Sequence, residues 1–207
     1  MRLKETIEAY RRNDPAARSG WEVFWLYNGL HATMYYRVAH WLYEHRLRFL
    51  GRWVSQFARR RTGIEIHPAA KIGRRLVIDH GTGIVIGATT EIGDDCLLYQ
   101  NVTLGGTGMT SGKRHPTLGN NVMVGSGAKV LGPFKVGDNA RIAANSVVLR
   151  EVPPNATVVG VPGRIVRLSG EKLDHIHTPD PVMLEIEALK ARVEQLEAAN
   201  SKQTEGE

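Results

Sequence analysis

The sequence predicts a mainly β protein, a left-handed parallel β-helix of hexapeptide repeats, with a helical region before it and one helix after it. Three observations predict this fold. Aliphatic residues recur every six positions from Ile66 to Val148, the residue after each aliphatic is often glycine, and the fourth residue after it is usually small or aliphatic. A six-residue period fits neither a helix nor a simple strand alternation. It is typical of a β-helix in which every hexad forms one short strand and one corner.

The repeated aliphatics fall into three blocks that are each in phase: Ile66, Ile72, Ile78; Ile86, Ile92, Leu98, Leu104; and Leu118, Val124, Val130, Val136, Ile142, Val148. A β-sandwich with alternating apolar residues is the alternative, and thirteen aliphatics in three phased blocks argue against it. The phase slips between Ile78 and Ile86 and again between Leu104 and Leu118. The first slip holds His80 and the second holds His115. Since regular patterns tend to be broken at functional positions, the two slips indicate a site.

Residues 1–62 are predicted to form an N-terminal helical region. Aromatic and aliphatic residues at three- and four-residue spacings, Tyr27 among them, predict a helix over Trp21–Arg46 whose apolar residues serve packing. Asp14 and Pro15 lie in a break before it, and a third helix is predicted over residues 48–60, ended by Gly63.

Residues 63–168 form the predicted β-helix, in which Asn, Asp and Gly corners accept positive φ. Residues 169–180 are a predicted polar linker, and residues 200–207 a polar tail. Between them, residues 181–199 carry apolar residues at alternating four- and three-residue spacings, which predicts a short coiled-coil-like helix.

Composition excludes several classes of protein. The chain has 207 residues, a net charge of +6, no run of 18 apolar residues and no secretory signal pattern, so we expect no membrane span. Its one cysteine, Cys96, stands at an inward repeat position and is expected to be buried, which fits a cytoplasmic protein. The run Arg59–Arg61 is better explained as a solvated helix end than as a nucleic-acid site.

Six stretches of the chain carry a family likeness: IEIHPAAKIGRRLVIDHGTGIVIG, LYQNVTLGGTG, KRHP, VMVGSGAKVLGPFKVG, GVPGRIV and the helical stretch NDPAARSG…GLHATMYYRVAHWLY. Together they resemble the serine O-acetyltransferases of cysteine biosynthesis. The resemblance extends from about residue 10 to residue 168, and the combination of DHGTG with the GGTG…RHP loop is specific to these enzymes. It implies an enzyme that transfers acetyl from acetyl-CoA to the hydroxyl of L-serine, giving O-acetyl-L-serine.

Acetyl transfer to a hydroxyl requires a base near that hydroxyl, and histidine is suited to this near neutral pH. The resemblance implies that His80 is the base and that a carboxylate orients its ring. The matching position holds Glu65, where the family often has Asp. His115 is expected to donate a hydrogen bond to the substrate or to the developing oxyanion.

The remaining site residues also follow from the resemblance. Arg114 is expected to bind the serine carboxylate, and Asp14 and Asp79 its ammonium group; without the motif, Asp14 would be read as a helix N-cap. Many family members have an acidic residue where this chain has Ala88, so the role of that carboxylate is either absent or moved to Glu91. Acetyl-CoA is expected in a groove lined by Gly105, Gly106, Ser126, Gly127, Lys129, Ala144 and Arg164, with Lys129 and Arg164 near its phosphates.

No metal is expected, because His67, His80 and His115 are too widely spread to resemble the zinc sites of related β-helices. Another hydroxyl acceptor, homoserine or a sugar, is the alternative to serine. A non-enzymatic scaffold for a cysteine synthase is the third possibility, and that partnership uses a C-terminal Ile where this chain has Glu207.

L-Cysteine shares the ammonium and carboxylate of serine and is expected to be a feedback inhibitor. We expect a homotrimer with the C-terminal helices bundled on its axis, or else each helix folded back on its own β-helix.

Overall fold

The computed structural model describes residues 3–109, 111–169, 171–172, 189–190 and 192–193. The chain divides into two units, Met1–Lys172 and Leu173–Glu207. In the second unit, the described residues are helical, and Leu189 and Val193 are exposed. The remainder of the predicted C-terminal helix, the tail and residues 173–180 of the predicted linker lie outside the described residues.

Four helices precede the β-helix: α1 (Leu3–Asn13), α2 (Gly20–Leu26), α3 (Asn28–Glu44) and α4 (Arg48–Thr62). The prediction of one helix over Trp21–Arg46 is wrong, because Tyr27 has an extended backbone and divides it. The Ser19 hydroxyl caps α2 by accepting from the Glu22 N–H. Helix α4 ends as predicted at Gly63, whose φ of 74° is left-handed.

The strands are short and follow one another at the predicted period: β1 (Glu65–Ile66), β2 (Lys71–Ile72), β3 (Val77–Ile78), β4 (Val85–Ile86), β5 (Glu91–Ile92), β6 (Leu97–Leu98), β7 (Thr103–Gly105), β8 (Thr117–Leu118), β9 (Met123–Val124), β10 (Lys129–Leu131), β11 (Lys135–Val136), β12 (Arg141–Ile142), β13 (Val147–Val148), β14 (Ala156–Val159), β15 (Arg164–Leu168) and β16 (Glu171–Lys172).

Successive strands belong to three different parallel sheets, which are the faces of a parallel β-helix. The first face has the order β1-β4-β7-β10-β13, the second β2-β5-β8-β11 and the third β3-β6-β9-β12-β14. The predicted parallel β-helix is thereby confirmed, while its handedness stays a prediction. At the end of the third face, β15 and β16 add antiparallel strands. Strand β16 falls within residues 169–180, so the start of the predicted linker is a strand.

The core consists of the repeated aliphatics stacked between coils. Ile66, Ile86 and Leu104 are in register on the first face, and Val130 and Val148 continue the same column. Every repeated aliphatic is buried, and so are the small residues four positions later, Cys96 included. The predicted burial of Cys96 is confirmed. Each fully buried aliphatic side chain of this kind contributes roughly 1.5–3 kcal/mol.

Asparagine and aspartate turn the corners, as predicted. Asp95, Asn101, Asn121 and Asn145 have φ between 53° and 59°, which asparagine and aspartate tolerate better than most residues. His80, with φ 57°, occupies the same kind of corner.

Candidate functional site

The two phase slips lie at the two edges of the first face. Residues 79–84 join β3 on the third face to β4 on the first, and residues 106–116 join β7 on the first face to β8 on the second. The predicted polar site residues are therefore divided between two places on one chain. We refer to Asp14, Tyr27, Asp79 and His80 as the acid–base cluster.

The acid–base cluster lines a cavity of about 260 Å³. The other lining residues are Leu26, Asn28, Gly29 and Ile78. The His80 side chain is 76% exposed, and its Nε2 lies 3.7 Å from Asp79 Oδ1. The structure thus brings together three predicted residues, Asp14, Asp79 and His80, at a cavity of a size that admits a small polar molecule.

Asp14 is held by two hydrogen bonds. The Tyr27 hydroxyl donates to its Oδ2 at 2.5 Å, and the Ala16 N–H donates to its Oδ1 at 2.8 Å. These bonds, the one from Tyr27 foremost, lower the pKa of Asp14, and attraction to His80 adds to them. Burial first, and then Asp14, raises the pKa of Tyr27 to about 12. Asp14 is therefore an ionised acceptor at the cavity wall and not a helix cap.

Tyr27 was predicted to serve packing only, and that prediction is incomplete. Its hydroxyl reaches Asp14 because the chain leaves helical geometry at Tyr27, between α2 and α3. The spacing of apolar residues carries no signal of this break, so sequence reasoning had no means of finding it.

The helices are attached directly to the strand that leads into Asp79 and His80. The Tyr10 hydroxyl accepts a hydrogen bond from the Ile78 N–H at 3.1 Å. A Cβ at Gly29 would lie 2.2 Å from the Ile78 carbonyl oxygen, so α3 begins at backbone contact with β3. This contact is what places Asp14, on the α1–α2 connection, beside the His80 corner.

The second edge of the face holds a group that we call the loop cluster: Gly87, Thr89, Gly106, Arg114 and His115. The His115 side chain is buried, and its Nδ1 lies 2.8 Å from the Thr89 hydroxyl oxygen. A Cβ at Gly87 would lie 1.9 Å from His115 Cδ2, so the ring fits only because Gly87 has no side chain. Burial, and then the charges of Arg114 and Lys113, lower the pKa of His115. Thr89 and Gly87 are site residues that the sequence analysis missed.

His67 lies near the loop cluster. Its Nδ1 accepts a hydrogen bond from the Ala69 N–H at 3.0 Å, which closes the corner that the sequence predicted. Burial foremost, and then the positive charges of Arg52, His115 and Arg114, lower the pKa of His67 to about 4. His67 is therefore neutral near pH 7, and the positive charge at this edge comes from Arg114, Lys113 and Arg52.

Glu65 is not hydrogen-bonded to His80 among the described residues. It lies on β1 of the first face, and its Oε2 is 3.4 Å from Arg59 Nε. Its predicted role as the orienting carboxylate stays a prediction, and the ion pair with Arg59 is a finding that the sequence did not suggest.

The predicted acetyl-CoA residues other than Arg164 border the first face, and Arg164 lies on the strand added to the third face. Gly105 ends β7 and Lys129 begins β10, while Ser126, Gly127 and Ala144 lie in the corners before β10 and β13. Arg164 begins β15. Gly106, itself part of the loop cluster, packs against Arg114, since a Cβ there would lie 2.9 Å from Arg114 Cγ. Lys129 Nζ donates to the Asn101 carbonyl oxygen, which leaves two of its three N–H donors for the predicted phosphate contact.

Among the described residues, no three His, Cys, Asp or Glu side chains are grouped as metal ligands. No helix in the same part of the chain has the length and apolar character that crossing a membrane requires.

Comparison with known proteins assigns the chain to a family. Residues 115–150 match the bacterial transferase hexapeptide (six repeats) family. The serine acetyltransferase of Synechococcus elongatus is 56% identical over 187 residues, 89% of this chain and 77% of the relative. That of Mycobacterium tuberculosis is 50% identical over 200 residues, 95% of this chain and 87% of the relative.

Solved structures are similar as well. A serine acetyltransferase in complex with cysteine has a TM-score of 0.80 at 43% identity, over 81% of this chain and 65% of that one. The Neisseria gonorrhoeae enzyme in complex with serine has a TM-score of 0.77 at 38% identity, over 80% and 67%. The Brucella abortus enzyme in complex with coenzyme A has a TM-score of 0.79 at 41% identity, over 81% and 67%. This chain spans about two thirds of the length of these three solved chains.

Proposed function

The chain belongs to the serine acetyltransferase family, and we propose on this premise that it transfers the acetyl group of acetyl-CoA to the hydroxyl of L-serine, with O-acetyl-L-serine and CoA as products. The observation that carries the proposal is the acid–base cluster, in which one exposed histidine and two carboxylates line a single cavity of about 260 Å³. Serine offers a hydroxyl for the histidine and an ammonium group for the carboxylates.

His80 acts as the general base. It is exposed at a corner with left-handed φ, where its ring projects from the β-helix instead of packing inside it. It takes the proton of the serine hydroxyl as the oxygen attacks the thioester carbonyl. The tetrahedral intermediate then collapses, the carbon–sulfur bond breaks, and the imidazolium returns the proton to the CoA sulfur. Base catalysis of this kind contributes typically 10²–10⁴-fold.

Asp14 and Asp79 bind the ammonium group. Tyr27 and the Ala16 N–H stabilise the ionised form of Asp14 and lower its pKa. Asp14 is therefore negatively charged at neutral pH, and it stays charged at lower pH than an ordinary aspartate does. Asp79 is directly beside His80 and also stabilises the imidazolium that forms during the reaction. Glu65 is the further carboxylate proposed to orient His80, and its Oε2 lies 3.4 Å from Nε of the partly exposed Arg59.

Arg114 and His115 supply the remaining contacts to the substrate. Arg114 binds the substrate carboxylate as a bidentate pair, and His115 donates to the substrate or the oxyanion. These residues lie at one edge of the first face and His80 at the other. A homotrimer would set the loop cluster of one copy against the acid–base cluster of the next, and acetyl-CoA would lie between them along the first face.

A thiol-release assay tests the proposed function. The full-length protein is supplied with acetyl-CoA and, separately, L-serine, L-homoserine and a sugar. We expect CoA release with serine and little with the other two. Release with homoserine or a sugar that exceeds the release with serine would contradict the assignment of the acceptor.

A further inference from the structure

The Thr89 hydroxyl connects three groups of the Arg114–His115 segment. Its oxygen accepts hydrogen bonds from the backbone N–H of Arg114 and from that of His115, each at 3.1 Å. The same oxygen lies 2.8 Å from His115 Nδ1. A hydroxyl has two acceptor lone pairs and one hydrogen to donate. Because both lone pairs are occupied by N–H groups, the hydrogen is directed to His115 Nδ1.

His115 Nδ1 is therefore an acceptor. The backbone N–H of Thr89 also points to it, at 3.3 Å. A ring nitrogen that receives hydrogen bonds carries no proton, so the proton of the neutral ring is on Nε2. Burial and the nearby Arg114 and Lys113 act in the same direction, because they lower the pKa of His115 and disfavour the charged ring.

The Nε2 edge of the ring borders two glycines. A Cβ at Gly87 would lie 2.0 Å from Nε2, and one at Gly106 would lie 3.1 Å from it. Any larger residue at these positions would crowd the nitrogen. The two glycines therefore leave the space through which the Nε2–H can reach a bound oxygen.

The backbone of Thr89 is also tied to the loop. Its carbonyl oxygen accepts a hydrogen bond from Lys113 Nζ at 2.7 Å, and Lys113 Nζ lies 3.7 Å from Glu91 Oε1. Three consecutive loop residues, Lys113 to His115, are thus bonded to one threonine. The position of the loop and the position of the proton on His115 therefore both depend on hydrogen bonds to Thr89.

We propose that Thr89 is a positioning residue that holds His115 as the neutral tautomer protonated on Nε2, so that His115 serves as a hydrogen-bond donor and not as a second base. The consequence for catalysis rests on the proposed function, whereas the tautomer is a property of the free protein. The two histidines of the site then have different duties, with His80 accepting the proton and His115 donating to the substrate oxygen.

The chain offers matched variants for the test. Thr89→Val keeps the branched shape and removes the hydroxyl, and Thr89→Ser keeps the hydroxyl. Thr90→Val makes the same chemical change at the next residue. The Thr90 hydroxyl is buried and has no hydrogen-bond partner among the described residues. It therefore controls for loss of a hydroxyl at this corner.

The first measurement is the nitrogen-15 NMR spectrum of the full-length protein with labelled histidine, in which His115→Asn identifies the His115 signals. We expect wild type, Thr89→Ser and Thr90→Val to show His115 as the neutral tautomer protonated on Nε2 near pH 7. Thr89→Val loses the hydroxyl at 2.8 Å and keeps only the longer 3.3 Å contact from its backbone N–H to Nδ1, so it is expected to show a mixture of tautomers. A wild-type His115 that is charged or protonated on Nδ1 overturns the proposal, even if Thr89→Val does not fold.

The second measurement is kcat/KM for serine. We expect Thr89→Val to lose roughly 10²-fold, as small displacements of a reacting group do, while Thr89→Ser and Thr90→Val stay near wild type. A Thr89→Val variant that keeps wild-type kcat/KM, or loses it with the His115 tautomer unchanged, contradicts the proposal. If wild type releases no CoA with serine, the proposed function fails, and the NMR comparison still decides the role of Thr89.

Discussion

Tyr27→Phe is the sharpest test of how the cavity binds its substrate. The change removes one oxygen, the donor of the 2.5 Å hydrogen bond to Asp14 Oδ2. The ring keeps its edge-to-face contact with Tyr10, whose centroid is 5.7 Å away. The second bond to Asp14, from the Ala16 N–H, also remains. We therefore expect a folded protein with a less well held Asp14.

The size of the effect follows from this hydrogen bond. A bond to a charged group contributes about 1.5–3 kcal/mol. Asp14 is partly exposed, so water replaces some of what is lost, and we expect a loss of about 1 kcal/mol, below that range. This corresponds to a roughly fivefold higher KM for serine. The kcat should change little, because the ammonium group is bound in the ground state and in the transition state alike.

The pH dependence gives a second signature. Tyr27 is the main reason that the pKa of Asp14 is lowered. A lowered pKa means that the ionised carboxylate, and the stability and binding that it contributes, persist as pH falls until pH reaches that lowered value. In Tyr27→Phe the pKa of Asp14 rises toward its ordinary range. The acid limb of thermal stability should therefore move to higher pH.

Steady-state kinetics of acetyl transfer near neutral pH measure the serine KM, and thermal unfolding across acidic pH measures the shift of the stability limb. Tyr35→Phe is the control, because its ring packs on Phe57, 5.6 Å between centroids, and is not among the residues that line the cavity. We expect the control to match wild type. An unchanged serine KM together with an unchanged acid limb in Tyr27→Phe would refute the argument that Tyr27 tunes Asp14.

Three further predictions concern the base, the inhibitor and the assembly. His80→Ala should lower kcat by roughly 10²-fold or more while the β-helix stays folded, because the side chain is exposed; near-normal turnover in this variant would show that another group is the base. L-Cysteine should compete with serine, because it offers the same ammonium and carboxylate to Asp14, Asp79 and Arg114; inhibition that is independent of serine concentration would mean a separate site. Light scattering should give a mass of three 22.9 kDa chains, and a hexameric mass rules out the trimer. If the C-terminal helices of the full chain form a bundle, a chain shortened after Gly170 should melt at a lower temperature. An unchanged melting temperature rules out a stabilising bundle.

Much of the fold could be predicted from the sequence, because the repeat is a local property. A six-residue period determines which side chain of each hexad faces the interior, and every repeated aliphatic is indeed buried. The corners were predictable for the same reason, since Asn, Asp and Gly are the residues that accept positive φ. The break within Trp21–Arg46 was not predictable, because the apolar spacing on both sides of Tyr27 is equally helical.

The sequence by itself thus determined the β-helix, the two interruptions that hold His80 and His115, and, through its resemblance to known enzymes, the reaction. Only the tertiary structure decided how those residues are held. Thr89 and His115 are 26 residues apart in the chain, and 68 residues separate Tyr10 from Ile78, whose hydrogen bond seats the helices beside His80. Contacts of this kind depend on how coils stack and helices pack, and the spacing of residues along the chain does not encode them. The proton position on His115 and the charge of Asp14 belong to the same class, because each depends on a donor that folding brings within about 3 Å.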